Sequence, residues 1–210
     1  FILRSGGGAE RGEESQVIAP PMGIPRLGSM GHTLDDVEVV EIGSESDGLN
    51  QPRALSVNPV RPEELWVVNQ RDDSVVVFFD YDTPDQQTRK FRDPYALHFM
   101  DAPSSISFNS NGLFGTCQES LNTYDQQAPP DYFMGPSLWT SDFDVFAQSN
   151  PAAVRFVGDD LGSHLDMLHE SPNCMGIVWE RENIYWVFEG ETSSIARVDF
   201  REDHGPGFDD

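Results

Sequence analysis

The amino-acid sequence predicts an all-β fold, a β-propeller of four-stranded antiparallel blades, with about three to four blades carried by this chain. Three observations predict it. Short runs of β-branched and aromatic residues alternate with clusters of Asn, Asp, Gly and Pro that form turns. One order of strand, turn and strand returns three times, led each time by a proline. The first interval between those prolines matches the 40–50 residues of known propeller blades.

Taken in order, residues 1 to about 34 are rich in Gly, Pro, Ser and Glu, with little periodic apolar content, and read as an extended arm. The remainder, 35–210, reads as a partial propeller. Residues 37–42 (VEVVEI) resemble a strand, 48–52 a turn, and 53–57 a strand closed by Asn58-Pro59. Strands at 64–68 (ELWVV) and 74–79 (SVVVFF) follow, separated by the turn-like 69–73, which makes an antiparallel meander. The second unit runs 102–108, a turn at 109–112, then 113–117. The third runs 171–179, a turn at 180–183, then 184–188 and 194–200. Pro52, Pro103 and Pro172 give spacings of 51 and 69 residues, so the second interval is a blade with an insertion. That insertion is 122 to about 136, rich in Gln, Pro, Asp and Tyr, and a stretch of this kind forms a loop over one face.

Charge narrows the partners. The formal net charge is −23, which repels polyanions and makes nucleic acid a poor partner. The same charge suits a solvated surface or a cation. No apolar run approaches the roughly 20 residues of a membrane-spanning helix, so no transmembrane segment is expected. The start at Phe1-Ile2-Leu3-Arg4 has neither initiator Met nor signal peptide, and suggests a mature or truncated chain. Cys117 and Cys174 permit one disulfide, or two buried thiols. There is no Asn-X-Ser/Thr glycosylation site.

Residues 49–59 (LNQPRALSVNP), 64–69 (ELWVVN) and 75–80 (VVVFFD) together resemble an NHL repeat: a Pro-led inner strand, a Trp-bearing second strand and a Val-rich third strand ending in an aromatic and Asp. The other two units are similar to it more loosely, and Asp73-Ser74 and Ser193-Ser194 stand where the family has Asn-Arg before the third strand. The resemblance covers about 37–80, 88–120 and 152–200. It implies a six-bladed ring, of which three units are only part. The missing blades would come from the rest of a longer chain, from another subunit, or in part from a degenerate fourth blade at 143–147. Exposed apolar edges are then expected on the isolated chain.

In an antiparallel meander the start of the inner strand and the end of the second lie at one end of the blade. His98, His164 and His169 precede inner strands, and Asn69, Gln70, Cys117, Gln118, Glu119 and Glu189 end or follow second strands, so all are expected at one rim. Cys117 and Cys174 meet this criterion on adjacent blades, which predicts a disulfide pinning the second blade to the third. The densest segment is 164–175 (HLDMLHESPNCM), whose imidazoles, carboxylates, thiol and thioethers suit zinc or, with the sulfurs, copper. The competing reading has His169 capping a turn while Met167 and Met175 fill core gaps. Peptidyl-hydroxyglycine lyase domains, propellers of the NHL kind, hold zinc with histidines just before Pro-led strands. His98 before Pro103 and His169 before Pro172 resemble that arrangement. This resemblance implies metal ligands among His98, His164, His169 and Glu119, with Glu119 or Tyr124 as acid/base groups. Calcium is the other channel ion, for which Asp101, Glu119 and Asn173 are suitable ligands.

Phosphate loops, nucleophile elbows and His-Glu-X-X-His motifs are missing. Asp159-Asp160 and Asp209-Asp210 read as solvated loop residues. Tyr132, Phe133, Trp139, Phe143 and Phe146 either stack a sugar or peptide or bury the insertion. The leading expectation is an extracellular or secreted binding or scaffold propeller for protein, peptide or glycan partners, with Ca²⁺ or Zn²⁺ as its candidate ions; the alternative is a metal-dependent lyase or hydrolase.

Overall fold

The computed structural model describes residues 2–5, 37–122, 132–153, 161–169 and 171–208. It divides into two units, Phe1–Ser46 and Asp47–Asp210. In the first, β1 (Ile2–Ser5) pairs antiparallel with β2 (Val37–Val40), from Ile2 opposite Val40 to Ser5 opposite Val37. The expected arm therefore contributes a strand of its own; its remaining residues lie outside the described ones.

Among the described residues the second unit is built of β-strands, with one short α-helix. Its first sheet is the meander β3 (Pro52–Val57), β4 (Glu64–Asn69), β5 (Ser74–Phe79) and β6 (Gln87–Phe91). After the helix α1 (Ala96–Phe99) comes a second meander, β7 (Pro103–Phe108), β8 (Leu113–Gln118), β9 (Ser137–Thr140) and β10 (Asp166–Met167). The third sheet has three strands, β11 (Cys174–Arg181), β12 (Ile184–Glu189) and β13 (Ser194–Asp199). All pairings are antiparallel and no sheet closes on itself. Inner strand β7 lies against both β3 and β11, so the sheets follow one another side by side.

One corner is built three times. Gln51, Ala102 and Asn173 each take a left-handed backbone, with φ of 51°, 48° and 53°. Each carbonyl then accepts a hydrogen bond from the residue after the second strand: Gln70 at 3.1 Å, Glu119 at 2.9 Å and Gly190 at 2.9 Å. The register slips by one residue immediately afterwards, past Pro52, Pro103 and Cys174. A bulge of this kind bends the strand and strengthens its twist. In this frame Cys174, and not Pro172, takes the place of Pro52 and Pro103, so the expected anchor of the third unit is corrected by two residues. Pro172 lies in the approach to the corner.

The sheets pack through alternating faces. Trp66 and Val68 of β4, with Val75 and Val77 of β5, form a face covered by Phe108 and Phe114 of the second sheet. Phe143 and Phe146 complete the cover, Phe143 stacking on Trp66 at 5.4 Å and 14°. Residues 143–147 are a turn, held by Val145 and Phe146 amides on the Asp142 carbonyl. They form no strand, which overturns the reading of a degenerate fourth blade there. The physical reason is that both Phe rings are consumed in the first sheet's core. Farther along, Gly115 leaves room for the third sheet: a Cβ there would stand 2.6 Å from Ile177 Cδ1 and 3.2 Å from the Tyr185 ring.

Polar seams join the first two sheets. Buried Glu64 accepts from Asn58 Nδ2 at 3.0 Å, Arg61 Nε at 2.6 Å and Trp66 Nε1 at 2.9 Å. Arg61 Nη2 then donates to the Ser141 carbonyl at 2.6 Å. Buried Asp93 accepts from the Ser163 amide and hydroxyl at 2.8 and 2.7 Å. Burying a carboxylate is tolerable only with such donors around it.

Candidate functional site: the rim of the inner strands

The repeated corner puts the last residue of each second strand opposite the first residue of each inner strand: Asn69 faces Pro52, Gln118 faces Pro103 and Glu189 faces Cys174. All three side chains tie loops rather than open to a ligand. Asn69 accepts from the Asn50 amide at 3.0 Å and donates to the Gly48 carbonyl and Ser74 Oγ, both at 3.0 Å. Gln118 Nε2 serves the Phe99 and Gly135 carbonyls and Ser137 Oγ at 2.7–2.9 Å. Glu189 accepts from Ser171, Thr192 and Ser194 hydroxyls at 2.8, 2.8 and 3.1 Å. Those hydroxyls hold its carboxyl below the usual carboxylate range against the opposing effect of burial.

One residue farther on lies a chain of rim side chains that crosses from the first sheet to the second. Gln70 Nε2 donates to Glu119 Oε2 at 2.5 Å, and Arg53 Nη2 donates to Gln70 Oε1 at 2.7 Å and sits 3.4 Å from Glu119. Ala102 N donates to Asp73 Oδ1 at 3.0 Å. Beside it Asp101 accepts from Ser120 Oγ at 2.6 Å and Asn122 Nδ2 at 2.9 Å. Burial, aided by the nearby Asp73 charge, lifts the Asp101 carboxyl above its ordinary value despite those donors. Of the expected calcium candidates, Asp101 is bonded to Ser120 and Asn122 and Glu119 to Gln70, while the Asn173 backbone amide donates to the Ser120 carbonyl at 3.1 Å.

The second and third sheets are joined covalently. Cys117, near the end of β8, and Cys174, at the start of β11, form a disulfide with Cα atoms 4.9 Å apart, both fully buried. The predicted pairing is observed. It closes 57 residues of chain.

The histidines gather on the second sheet's flank. His98 comes from α1, His164 from the turn before β10, and His169 from the approach to the third corner. Phe133 lies against two of them: its ring centroid is 4.8 Å from His98 and 3.8 Å from His169, with interplanar angles of 7° and 10°. His98 and His169 are themselves 5.7 Å apart at 14°. His164 stacks on Phe99 at 3.4 Å and meets His204 edge-on at 4.9 Å, while its Nδ1–H donates to the Leu161 carbonyl at 3.0 Å. Burial pushes His98 down to about 4, with the neighbouring His169 adding to it. Burial likewise pushes His164 down to about 3, helped by His204 and, more weakly, His98 and His169, and opposed by the Leu161 hydrogen bond. Both rings are therefore neutral at pH 7, the form that ligates metal.

Of the four candidate ligands, His98 and His169 are ring neighbours and His164 stands beyond Phe99, while Glu119 is engaged at the rim with Gln70 and Arg53. Among the described residues no three His, Cys, Asp or Glu side chains are arranged to hold a metal. Tyr124 lies outside the described residues. So do Asp159-Asp160, Asp209-Asp210 and the interior of the insertion. The insertion's two ends meet, the Phe133 amide donating to the Asn122 carbonyl at 3.1 Å. Of the aromatic strip, Trp139 and Phe146 are core, and Phe133 serves the histidines. Sequence reasoning missed His204, Phe99 and Phe133 as partners of these imidazoles, because nothing in their spacing marks them. No family model matches the chain, and no curated protein matches it.

Proposed function

We propose that the chain is a partial β-propeller of the NHL kind, acting as an extracellular binding or scaffold module that takes a protein, peptide or glycan at the rim of its inner strands. The observation that supports this most is the threefold corner at Gln51, Ala102 and Asn173, which brings equivalent loop ends of successive sheets together. A rim fixed by backbone geometry can carry varied side chains, and function then lives in those side chains rather than in the fold. The disulfide and the absence, among the described residues, of a helix long and apolar enough to cross a membrane are compatible with an extracellular setting.

Arg53, Gln70 and Glu119 are the polar group offered at that rim. Arrays of glycans and of peptides, probed with the purified chain, test the reading. Retention of one ligand class, lost in Arg53→Ala and Glu119→Ala with the thermal midpoint kept, supports it; no retention in either class overturns it.

A second reading, a metal-dependent lyase or hydrolase similar to peptidyl-hydroxyglycine lyase, is favoured by the gathered imidazoles, of which His98 and His164 are neutral at pH 7. His98, His164 and His169 would be its zinc ligands, with Glu119 or Tyr124 as acid/base groups. Metal analysis separates the readings. One tightly held transition metal per chain, lost in His169→Ala, favours the enzyme; a calcium ion or no metal favours the binding module.

A further inference from the structure

The third sheet leaves open the face that its predecessors cover. Trp66 of β4 and Trp186 of β12 occupy equivalent places: Trp66 pairs with Ser56 and Val77, and Trp186 pairs with Val178 and Arg197. Trp66 has no solvent exposure, buried under Phe108, Phe114, Phe143 and Phe146. Trp186 is 40% exposed, and its neighbours on the same face, Val178, Phe188 and Ile195, are 58%, 55% and 66% exposed. Phe188 and Ile195 are cross-strand partners, as are Val68 and Val75, which are fully buried in the first sheet. Arg197, paired with Glu180 at 2.7 Å and 6.0 Å from the Trp186 ring, is the charged group among them, and exposed large apolar side chains grouped in this way mark a face on which something is seated.

Two more features single out the occupant. In the first two sheets the third strand is flanked by a fourth, β6 on β5 and β10 on β9, whereas among the described residues β13 has no such neighbour. The chain after β13 also begins as the chain after β9 does. Ser141 donates to the Gly112 carbonyl and Phe200 to the Asn183 carbonyl. Each segment then packs back on the preceding sheet: Phe143 and Phe146 on Trp66, and residues 204–207 on Leu165 and His164 through the His204 and Gly207 amides. After β9 that excursion returns to lay down the fourth strand.

We propose that a fourth antiparallel sheet of the same repeat, carried by the same polypeptide, is seated on Val178, Trp186, Phe188 and Ile195. It presents aliphatic and aromatic residues from its first two strands, as Ile177 and Tyr185 are presented to Gly115 and as Phe108 and Phe114 are presented to Trp66. A second copy of the chain is the less favoured occupant, since each brings a further −23 of like charge. The inference rests on the repeated packing that the propeller reading shares, and not on any rim ligand.

The test is made on the native polypeptide from its source, by intact mass and hydroxyl-radical footprinting of Trp186 and Phe188. The expected result is a chain heavier than 23.5 kDa in which both side chains are at least 5-fold less reactive than in the isolated 210-residue chain. Trp186→Glu lowers the thermal midpoint in that longer protein by several times as much as it does in the 210-residue chain. A native mass of 23.5 kDa, whether monomer or dimer, overturns the proposal, and so does a longer chain with Trp186 still reactive. Loss of rim binding in the arrays touches none of these readouts, so the two ideas fail separately.

Discussion

His164 shows how one residue's surroundings set its chemistry. Stacked on Phe99 and buried beneath His204, its imidazole is neutral in the folded chain down to about pH 3, whereas an unfolded histidine titrates near 6.5. Between those values the unfolded state binds the extra proton, so stability rises with pH and is lost as pH falls below about 6.5. His98, pushed down to about 4, adds a slope of the same sign. Denaturant midpoints measured from pH 7.5 to 4.5 are therefore expected to fall steadily. His164→Phe, which keeps the stack and removes the titrating group, flattens the fall. Cys174 supports a second prediction at this scale. Opening a loop of 57 residues by Cys174→Ser is expected to cost about 4 kcal/mol by chain entropy, read as a lower denaturant midpoint that added reductant no longer shifts.

At the scale of the element, the corners and close approaches decide where substitution is tolerated. A Cβ on Gly135 would collide with the Leu168 carbonyl oxygen, a backbone atom that cannot turn aside. On Gly115 the nearest atom is Ile177 Cδ1, the mobile end of a side chain, although the Tyr185 ring stands just behind it. Gly135→Ala is accordingly expected to destabilise by about 3 kcal/mol or more and Gly115→Ala by about 1–2 kcal/mol, compared by urea unfolding. The strands legible in the sequence were those with a dense apolar pattern: β5 matches its expected span, 74–79, and β4, β8 and β12 run one residue beyond theirs. β6 (QTRKF) and β10 (two residues) lack any such pattern and exist because a neighbouring strand edge offers hydrogen bonds. The corner was half legible. Proline marks it at 52 and 103, but at the third site its place is taken by cysteine, and the left-handed residues have no common side chain: Gln51 and Asn173 carry carboxamides, Ala102 only a methyl. The rim position of Glu119 and the disulfide followed from strand polarity alone, whereas the histidine partners depended on loop paths that periodicity does not encode.

Across the whole molecule charge and packing pull in opposite directions. Thirty-six acidic against thirteen basic residues make the compact state self-repelling. The ion pairs that relieve it, Arg61 with Glu64, Lys90 with Asp72 and Arg197 with Glu180, concentrate on a few carboxylates. Raising NaCl from 10 to about 150 mM shortens the screening length from roughly 30 to 8 Å. A higher thermal midpoint is the expected outcome, checked by circular dichroism at fixed pH; a lower one would mean that attractive pairs outweigh the net repulsion.

The hydrogen bond from the residue after each second strand to the left-handed carbonyl has a consequence for how such a chain can change. Because the bond anchors both sides of the junction locally, the stretch that follows can lengthen without dragging the junction with it. The second unit already carries such an addition, at 122–136, and its junction at Ala102 matches in its bonding the uninterrupted one at Gln51. Segments grafted between Asn122 and Phe133, whose backbones already meet, should therefore be displayed from a mount that holds its shape, which makes that stretch the place where new recognition can be added at little structural risk.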